Sequence, residues 1–225
     1  MLVVSFDLSS SCIGVLLTRI EDGKIIKCDS CPVVPSNSSN IRERFGFMSS
    51  KKRLPTRSGK LINTWWRKGE ESISQTEKNK RDREVREYVN NCILSDISFK
   101  LGAIINTTNP DLILVEKNAA FNGILTTKLL AEVMGILVGI SGNASIPVIK
   151  YPVNQVRSIL DVSKLTTILR DELSEEEMMS LPDVTKRAIG NHLSKIYNIN
   201  FSTDDESDAC AVFHYWWTQD YKGEC

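Results

Sequence analysis

No apolar run in this sequence approaches the eighteen or more residues of a membrane span; the best stretch, Leu129 to Ile140, is short and carries Glu132. Only two histidines are present, His192 and His214, and neither stands at a ligand spacing from the single CxxC pair, Cys28 and Cys31, which speaks against tetrahedral zinc. No helix start follows that pair to lower a thiol pKa, so a thioredoxin-like role is disfavoured and the six cysteines are expected as reduced thiols. Met1 opens directly into a strand-like run, with no basic region leading to a small-residue cleavage site, so we expect no signal peptide and a cytoplasmic protein. Net charge is missing too: 28 Lys and Arg balance 28 Asp and Glu, which alone argues against a uniformly basic nucleic-acid coat. What remains is 225 residues, 41% hydrophobic and 25% charged, enough for one large or two small globular units.

Leu2 to Phe6 and Cys12 to Thr18 are apolar runs, and Gly23 with its polar neighbours turns the chain into Lys24 to Cys28, so a three-strand meander is expected. Val34 to about Asn40 is Pro, Ser and Asn rich and reads as a loop. Val85, Val89, Cys92, Ile93, Ile97 and Leu101 have helical spacing in a segment that starts near Gln75 and stops at Asn109-Pro110. Leu112 to Val115 is an unbroken aliphatic strand, Ala119 to Ile140 a long helix, Val148 to Tyr151 a short strand, and Val153 to Leu160 a helix. Asp161 to Asp183 holds seven acids against Lys164 and Arg170, and reads as a solvated excursion or an amphipathic insertion. Two helices, Val184 to Tyr197 and Asp205 to Trp217, end the sequence. A meander followed by alternating strands and helices predicts an α/β fold on a mixed sheet.

Three carboxylate sources then stand out. Asp7 ends the first apolar strand and opens a turn of serines, although an acid there is costly unless something ionic offsets it. Glu116 ends the run Leu112 to Val115 in the same way. Asp204, Asp205, Glu206 and Asp208 crowd a helix start, which the helix dipole alone would favour, yet Asp205 and Asp208 share one helical face. Ligands of α/β sheets bind beyond the carboxyl ends of the strands. Acids converging there would make an all-oxygen site suited to Mg²⁺ or Mn²⁺.

The ordered set Ser5-Phe6-Asp7-Leu8-Ser9-Ser10-Ser11-Cys12-Ile13-Gly14, Ile113-Leu114-Val115-Glu116 and Asp205-Glu206-Ser207-Asp208-Ala209-Cys210-Ala211 resembles the RuvC family of Holliday junction resolvases, within the RNase H-like superfamily. The resemblance covers most of the chain outside about residues 36 to 90. It implies a single RNase H-like nuclease domain over 1–225, a five-stranded mixed sheet flanked by helices, and a basic insertion (36–90) after the third strand. It further implies that Asp7, Glu116, Asp205 and Asp208 hold two Mg²⁺ ions, with Mn²⁺ able to substitute and Asp7 bridging the pair. Lys186 would stabilise developing charge, and Arg157 would lie near the scissile phosphate. Branched DNA as substrate and a homodimer with two active sites follow from the same resemblance. Two places depart from the family pattern: Ser9 stands where glycine is usual, and Lys117-Asn118-Ala119-Ala120 where an aromatic is common, with Phe121 the nearest substitute.

DNA binding is expected outside the acidic pocket. Residues 51 to 87 hold twelve Lys and Arg against six acids, a local excess of six, with Trp65 and Trp66 embedded. Lys51, Lys52, Arg53, Arg57, Lys60 and Arg67, with Lys117, Arg157 and Lys186, are the DNA-contact candidates. Ala131, Gly135 and Gly139 recur at four-residue spacing and would either pack closely on the sheet or form a dimer seam. Tyr215, Trp216, Trp217 and His214 read as packing residues. The alternatives are an RNase H-type or flap-type nuclease, an inert DNA-binding scaffold, and an ATP-binding phosphotransferase of the sugar-kinase and Hsp70 type. The last would need a second Asp-Gly hairpin and glycine-rich phosphate loops that this sequence lacks.

Overall fold

A strand reading Leu-Val-Val-Ser-Phe-Asp has no polar face to offer water, and it lies at the centre of a sheet covered on both sides. The computed structural model describes residues 1–9, 11–44, 48–53, 61–66, 74–117, 124–174, 176, 177, 181 and 183–221. In chain order the elements are β1 (Leu2–Asp7), β2 (Ile13–Glu21), β3 (Lys24–Val33), α1 (Ser38–Arg44), β4 (Met48–Arg53), β5 (Leu61–Trp66), α2 (Gln75–Thr108), β6 (Leu112–Lys117) and α3 (Ile124–Asn143). They continue with β7 (Val148–Pro152), α4 (Val153–Ser158), α5 (Val162–Glu172), α6 (Val184–Tyr197), α7 (Asp204–Tyr215) and a π-helical turn over Trp216–Tyr221. Two compact units are formed, residues 1–34 with 98–225, and residues 35–97; the division falls inside α2.

The larger unit carries a five-stranded mixed sheet in the order β3-β2-β1-β6-β7, flanked by helices, as expected for an RNase H-like fold. β1, β2 and β3 form the antiparallel meander, and β6 and β7 continue it in parallel with β1. The β2–β3 hairpin turns on Asp22-Gly23, both at positive φ, the backbone that a two-residue hairpin requires. α2 stops where Asn109 takes φ 44° and its N–H bonds the Ile105 carbonyl at 2.8 Å, with Pro110 forbidding continuation.

Strand alternation assigns the faces. Val3 belongs to a buried cluster with Leu16, Leu114, Ile189, Val212, Phe213 and Trp216, so the face of β1 carrying Val3, Ser5 and Asp7 is covered by α7 and α6. The same reasoning turns Leu114 and Glu116 of β6, and Gly14 and Leu16 of β2, toward α7. Val4 and Phe6 on the opposite face are fully buried as well, as are Leu101 of α2 and Val133 and Leu137 of α3. The aromatic run Tyr215 to Trp217 packs as anticipated: Phe213 and Trp217 stack at 6.0 Å, and Trp217 stacks on Tyr221 at 4.8 Å.

One expectation needs revision and two open alternatives are narrowed. β3 runs to Val33 rather than Cys28, because it is an edge strand in which Pro32 breaks no central ladder. Cys28 and Cys31, three apart in that strand, therefore face opposite sides. The acidic segment after Asp161 contains an amphipathic helix: α5 is capped by Asp161, buries Leu169 and is tied to α6 through Lys195 and Glu172 at 2.9 Å. Ala131, Gly135 and Gly139 do not pack on the sheet; they lie on the exposed side of α3, and a Cβ on either glycine would meet nothing within 4 Å. The N-terminal part of the helix expected from Ala119 falls on residues 118–123, outside the described residues.

In the smaller unit β4 and β5 pair antiparallel, Lys51 opposite Asn63 and Ser49 opposite Trp65.

One contact fixes α7 on the sheet. A Cβ built on Gly14 would stand 1.8 Å from the Asp205 carbonyl oxygen and 2.7 Å from the Glu206 nitrogen, so backbone meets backbone. Gly14→Ala should therefore destabilise the protein by about 3 kcal/mol or more in urea unfolding. A variant as stable as the wild type would show that this contact does not hold the helix.

Candidate active site

Two acids are set side by side by the sheet. The parallel register pairs Phe6 with Val115, which brings Asp7 and Glu116 level at the carboxyl ends of adjacent strands on the same face. Both are 9% exposed. Ser5, fully buried, donates its hydroxyl to the Ala209 carbonyl at 2.8 Å, linking the strand of Asp7 to the residue after Asp208. With Gly14 against Asp205, this leaves the first turn of α7 nowhere to settle except over the two strand ends.

The crowded acids of that turn separate by role. Glu206 closes a capping box, accepting the Ser202 and Thr203 N–H groups at 2.9 and 2.8 Å and the Thr203 hydroxyl at 3.1 Å. Burial alone would raise its pKa, but these bonds hold it below the usual carboxylate range. Asp204 is exposed. Asp205 is half-buried and Asp208 is 8% exposed, and these two act electrostatically on Asp7.

Three of the site's acids are driven toward protonation. Burial first, then the charges of Asp208, Glu116 and Asp205, push the Asp7 carboxyl up to about 8 against the pull of Lys186. Burial and Asp208 push Glu116 up to about 7, opposed by Arg157 and Lys186. Burial raises Asp208 although Lys186 Nζ donates to its Oδ2 at 2.8 Å. Burial would lower Lys186, but that bond and the surrounding acids outweigh it, so Lys186 stays an ammonium. Its position on the first turn of α6 follows from Asp183, whose side chain caps the helix by accepting the Lys186 N–H.

The other candidates are placed as follows. Arg157, at the end of α4, is exposed and acts on Glu116 and Asp208 through its charge. Lys117 is exposed at the end of β6. Lys51, Lys52 and Arg53 lie in β4; Arg57, Lys60, Arg67 and Phe121 fall outside the described residues. His214 is a packing residue, bonded to the Tyr197 hydroxyl at 2.7 Å and pushed down to about 4 by burial. Sequence reasoning gave no role to Ser5, Gly14 or Cys12. A lone serine in an aliphatic strand was the available signal for Ser5; the Gly14 contact joins positions far apart in sequence and had none. Burial and a hydrogen bond to Asp205 push the Cys12 thiol up to about 11, so no thiolate stands in the site at neutral pH.

Four carboxylates and no thiolate are the donor types that suit a hard divalent cation. By chemistry the residues fit such an ion. Among the described residues, no group of three or more His, Cys, Asp or Glu side chains is placed to grip an ion as it stands, and Lys186 engages Asp208.

No protein-family model matches the sequence, and neither does any curated protein. Among solved structures the chain is similar to T. thermophilus RuvC in complex with Holliday junction substrate, at 10% identity and TM-score 0.49 with 98% of each chain covered. It is also similar to a Thermus thermophilus RuvC structure, at 11% identity and TM-score 0.47, covering 96% of this chain and 95% of that one. A third neighbour is the yeast mitochondrial Holliday junction resolvase Ydc2, at 15% identity and TM-score 0.44, covering 98% of this chain and 82% of that one. At this distance the likeness concerns the chain trace alone. No helix among the described residues is long and apolar enough to cross a membrane.

The raised acids have a measurable consequence. Asp7 binds a proton more tightly folded than unfolded between its ordinary value of 3.8 and about 8, and Glu116 between 4.5 and about 7, so folding stability falls as pH rises through that window. In chelator, the melting temperature should drop on the order of 5 °C from pH 5 to pH 8, and Asp7→Asn should flatten the decline. A wild-type profile that rises over this range would contradict the buried acid cluster.

Proposed function

We propose that this protein is a divalent-metal-dependent endonuclease that cuts branched DNA, four-way junctions in particular, as a homodimer. The observation that carries the nuclease reading is the gathering of Asp7, Glu116 and Asp208 at one sheet end, buried, with Lys186 bonded to Asp208. The branched substrate rests on the ordered motif set around those acids.

Asp7, Glu116, Asp205 and Asp208 would hold the ions. Divalent ions bound there, Mg²⁺ or Mn²⁺, supply an activated water and offset charge on the phosphate and the leaving oxygen. The protein's own contribution is positional. β1 and β6 fix two carboxylates level with each other, and the docked first turn of α7 brings Asp205 and Asp208 beside them, so the acids need only side-chain adjustment to share an ion. Lys186, once released from Asp208, presents an ammonium to the phosphate oxygens where negative charge develops. Arg157 adds an exposed cation whose field already reaches Glu116 and Asp208.

Affinity would come from the basic cationic residues, chiefly the β4–β5 ribbon. Its strands carry Lys51, Lys52 and Arg53 with Trp65 and Trp66, residue types that bind phosphates and stack bases. The exposed small-residue side of α3 fits the close helix approach of a dimer seam.

Asp7→Asn, Glu116→Gln and Asp208→Asn should each lower junction cleavage in Mg²⁺ by about a thousandfold or more while leaving junction binding nearly intact. Undiminished cleavage by purified Asp7→Asn would overturn the assignment. Replacing Lys51, Lys52 and Arg53 with glutamine should flatten the dependence of log affinity on log salt by about two to three. An unchanged slope would remove the ribbon from the DNA interface.

A further inference from the structure

Each strand of the meander holds one point of the first turns of α7. On β1, the Ser5 hydroxyl donates to the Ala209 carbonyl at 2.8 Å. On β2, the missing side chain of Gly14 admits the Asp205 backbone. On β3, Ser30 stands opposite Leu16 in the ladder, which turns its side chain to the α7 face, and its hydroxyl bonds the Glu206 carboxylate. That carboxylate also accepts the Ser202 and Thr203 N–H groups at 2.9 and 2.8 Å and the hydroxyls of both residues, and it is 2% exposed. A buried charge with so many donors from separate segments is fixed in place.

The helix converts this anchor into a direction. Successive residues turn by about 100°, so Asp208 projects about 200° round α7 from Glu206, while Asp205 lies about 60° from Asp208. The strand order sets β3 on one side of β2 and β1, the strands beneath the turn, and β6 on the other. With Glu206 held on the β3 side, Asp208 is aimed at the β6 side, where Glu116 stands level with Asp7. The contacts at Ser5 and Gly14 act from beneath the helix, whereas the Ser30 leg acts from its flank and has the leverage to stop the helix rolling.

We propose that Glu206 is a positioning residue: bonded to Ser30, it prevents α7 from rolling and keeps Asp205 and Asp208 turned toward Asp7 and Glu116. The assignment rests on the metal-dependent nuclease reading above. Glu206 touches neither ion nor substrate in this scheme, because its carboxylate is taken up by Ser30, Ser202 and Thr203.

The test is Mn²⁺ affinity at pH 7, measured by calorimetry without DNA on the full chain, for wild type, Ser30→Ala, Glu206→Ala, their double variant and Glu206→Gln. Ser30→Ala leaves the Thr203 cap in place, so its melting temperature should stay within about 3 °C of wild type, while Mn²⁺ binds roughly five- to tenfold more weakly. Glu206→Ala should lose roughly tenfold or more, and the double variant should be no weaker than Glu206→Ala, since both changes remove the same leg. Glu206→Gln keeps an acceptor for the Ser202 and Thr203 N–H groups and a polar partner for Ser30, and should bind Mn²⁺ within about twofold of wild type. Junction cleavage by Ser30→Ala should fall in kcat with KM for the junction unchanged. Wild-type Mn²⁺ affinity in Ser30→Ala, losses that multiply in the double variant, or Glu206→Gln as weak as Glu206→Ala would overturn the positioning role. A wild-type protein that binds no Mn²⁺ would instead overturn the metal site on which that role depends.

Discussion

Acids do not gather in a protein interior unless something forces them, and here the force is the docking of one helix turn. α7 lands with the backbone of Asp205 against Gly14 and the carbonyl of Ala209 on the Ser5 hydroxyl. Its inner face is Ala209, Val212 and Phe213, fully or almost fully buried, so apolar packing presses it onto the sheet whatever its polar first turn prefers. That packing carries Asp208 out of water toward Asp7 and Glu116. The raised pKa values of all three acids record what the arrangement costs in the absence of a cation.

Lys186 is the partial remedy the chain supplies for itself. An ammonium on Asp208 offsets one charge, and burying that pair is tolerable because the Nζ and Oδ2 atoms are bonded at 2.8 Å. Asp7 and Glu116 keep their penalty. In the proposed nuclease, a divalent ion bound here would offset the charge of these acids and leave Lys186 for the substrate.

Much of this was legible beforehand, for identifiable reasons. Asp7 and Glu116 announced themselves because each interrupts an aliphatic strand that has no solvent face, and the five-strand mixed sheet followed from a meander succeeded by βα alternation. The helix α6 was readable to the residue from its period. What escaped depended on partners distant in sequence. Glu206 carried a local signal, the Thr203-x-x-Glu206 spacing of a capping box, whereas only the orientation of the docked helix separates exposed Asp204 from Asp205 and Asp208. The run of β3 beyond Cys28 depended on its being an edge strand, and the choice between sheet packing and a dimer seam for the small residues of α3 depended on which side of that helix is exposed.

We propose that the buried carboxylates form a divalent-cation site whose occupation displaces protons from Asp7 and Glu116. Calorimetric titration of Mn²⁺ into the protein at pH 7, repeated in buffers of different ionisation enthalpy, tests it most directly. The account predicts binding that releases roughly one proton per chain as the Asp7 and Glu116 carboxyls ionise, and loss of that release in Asp7→Asn. Binding with no proton release, or no binding, would contradict it.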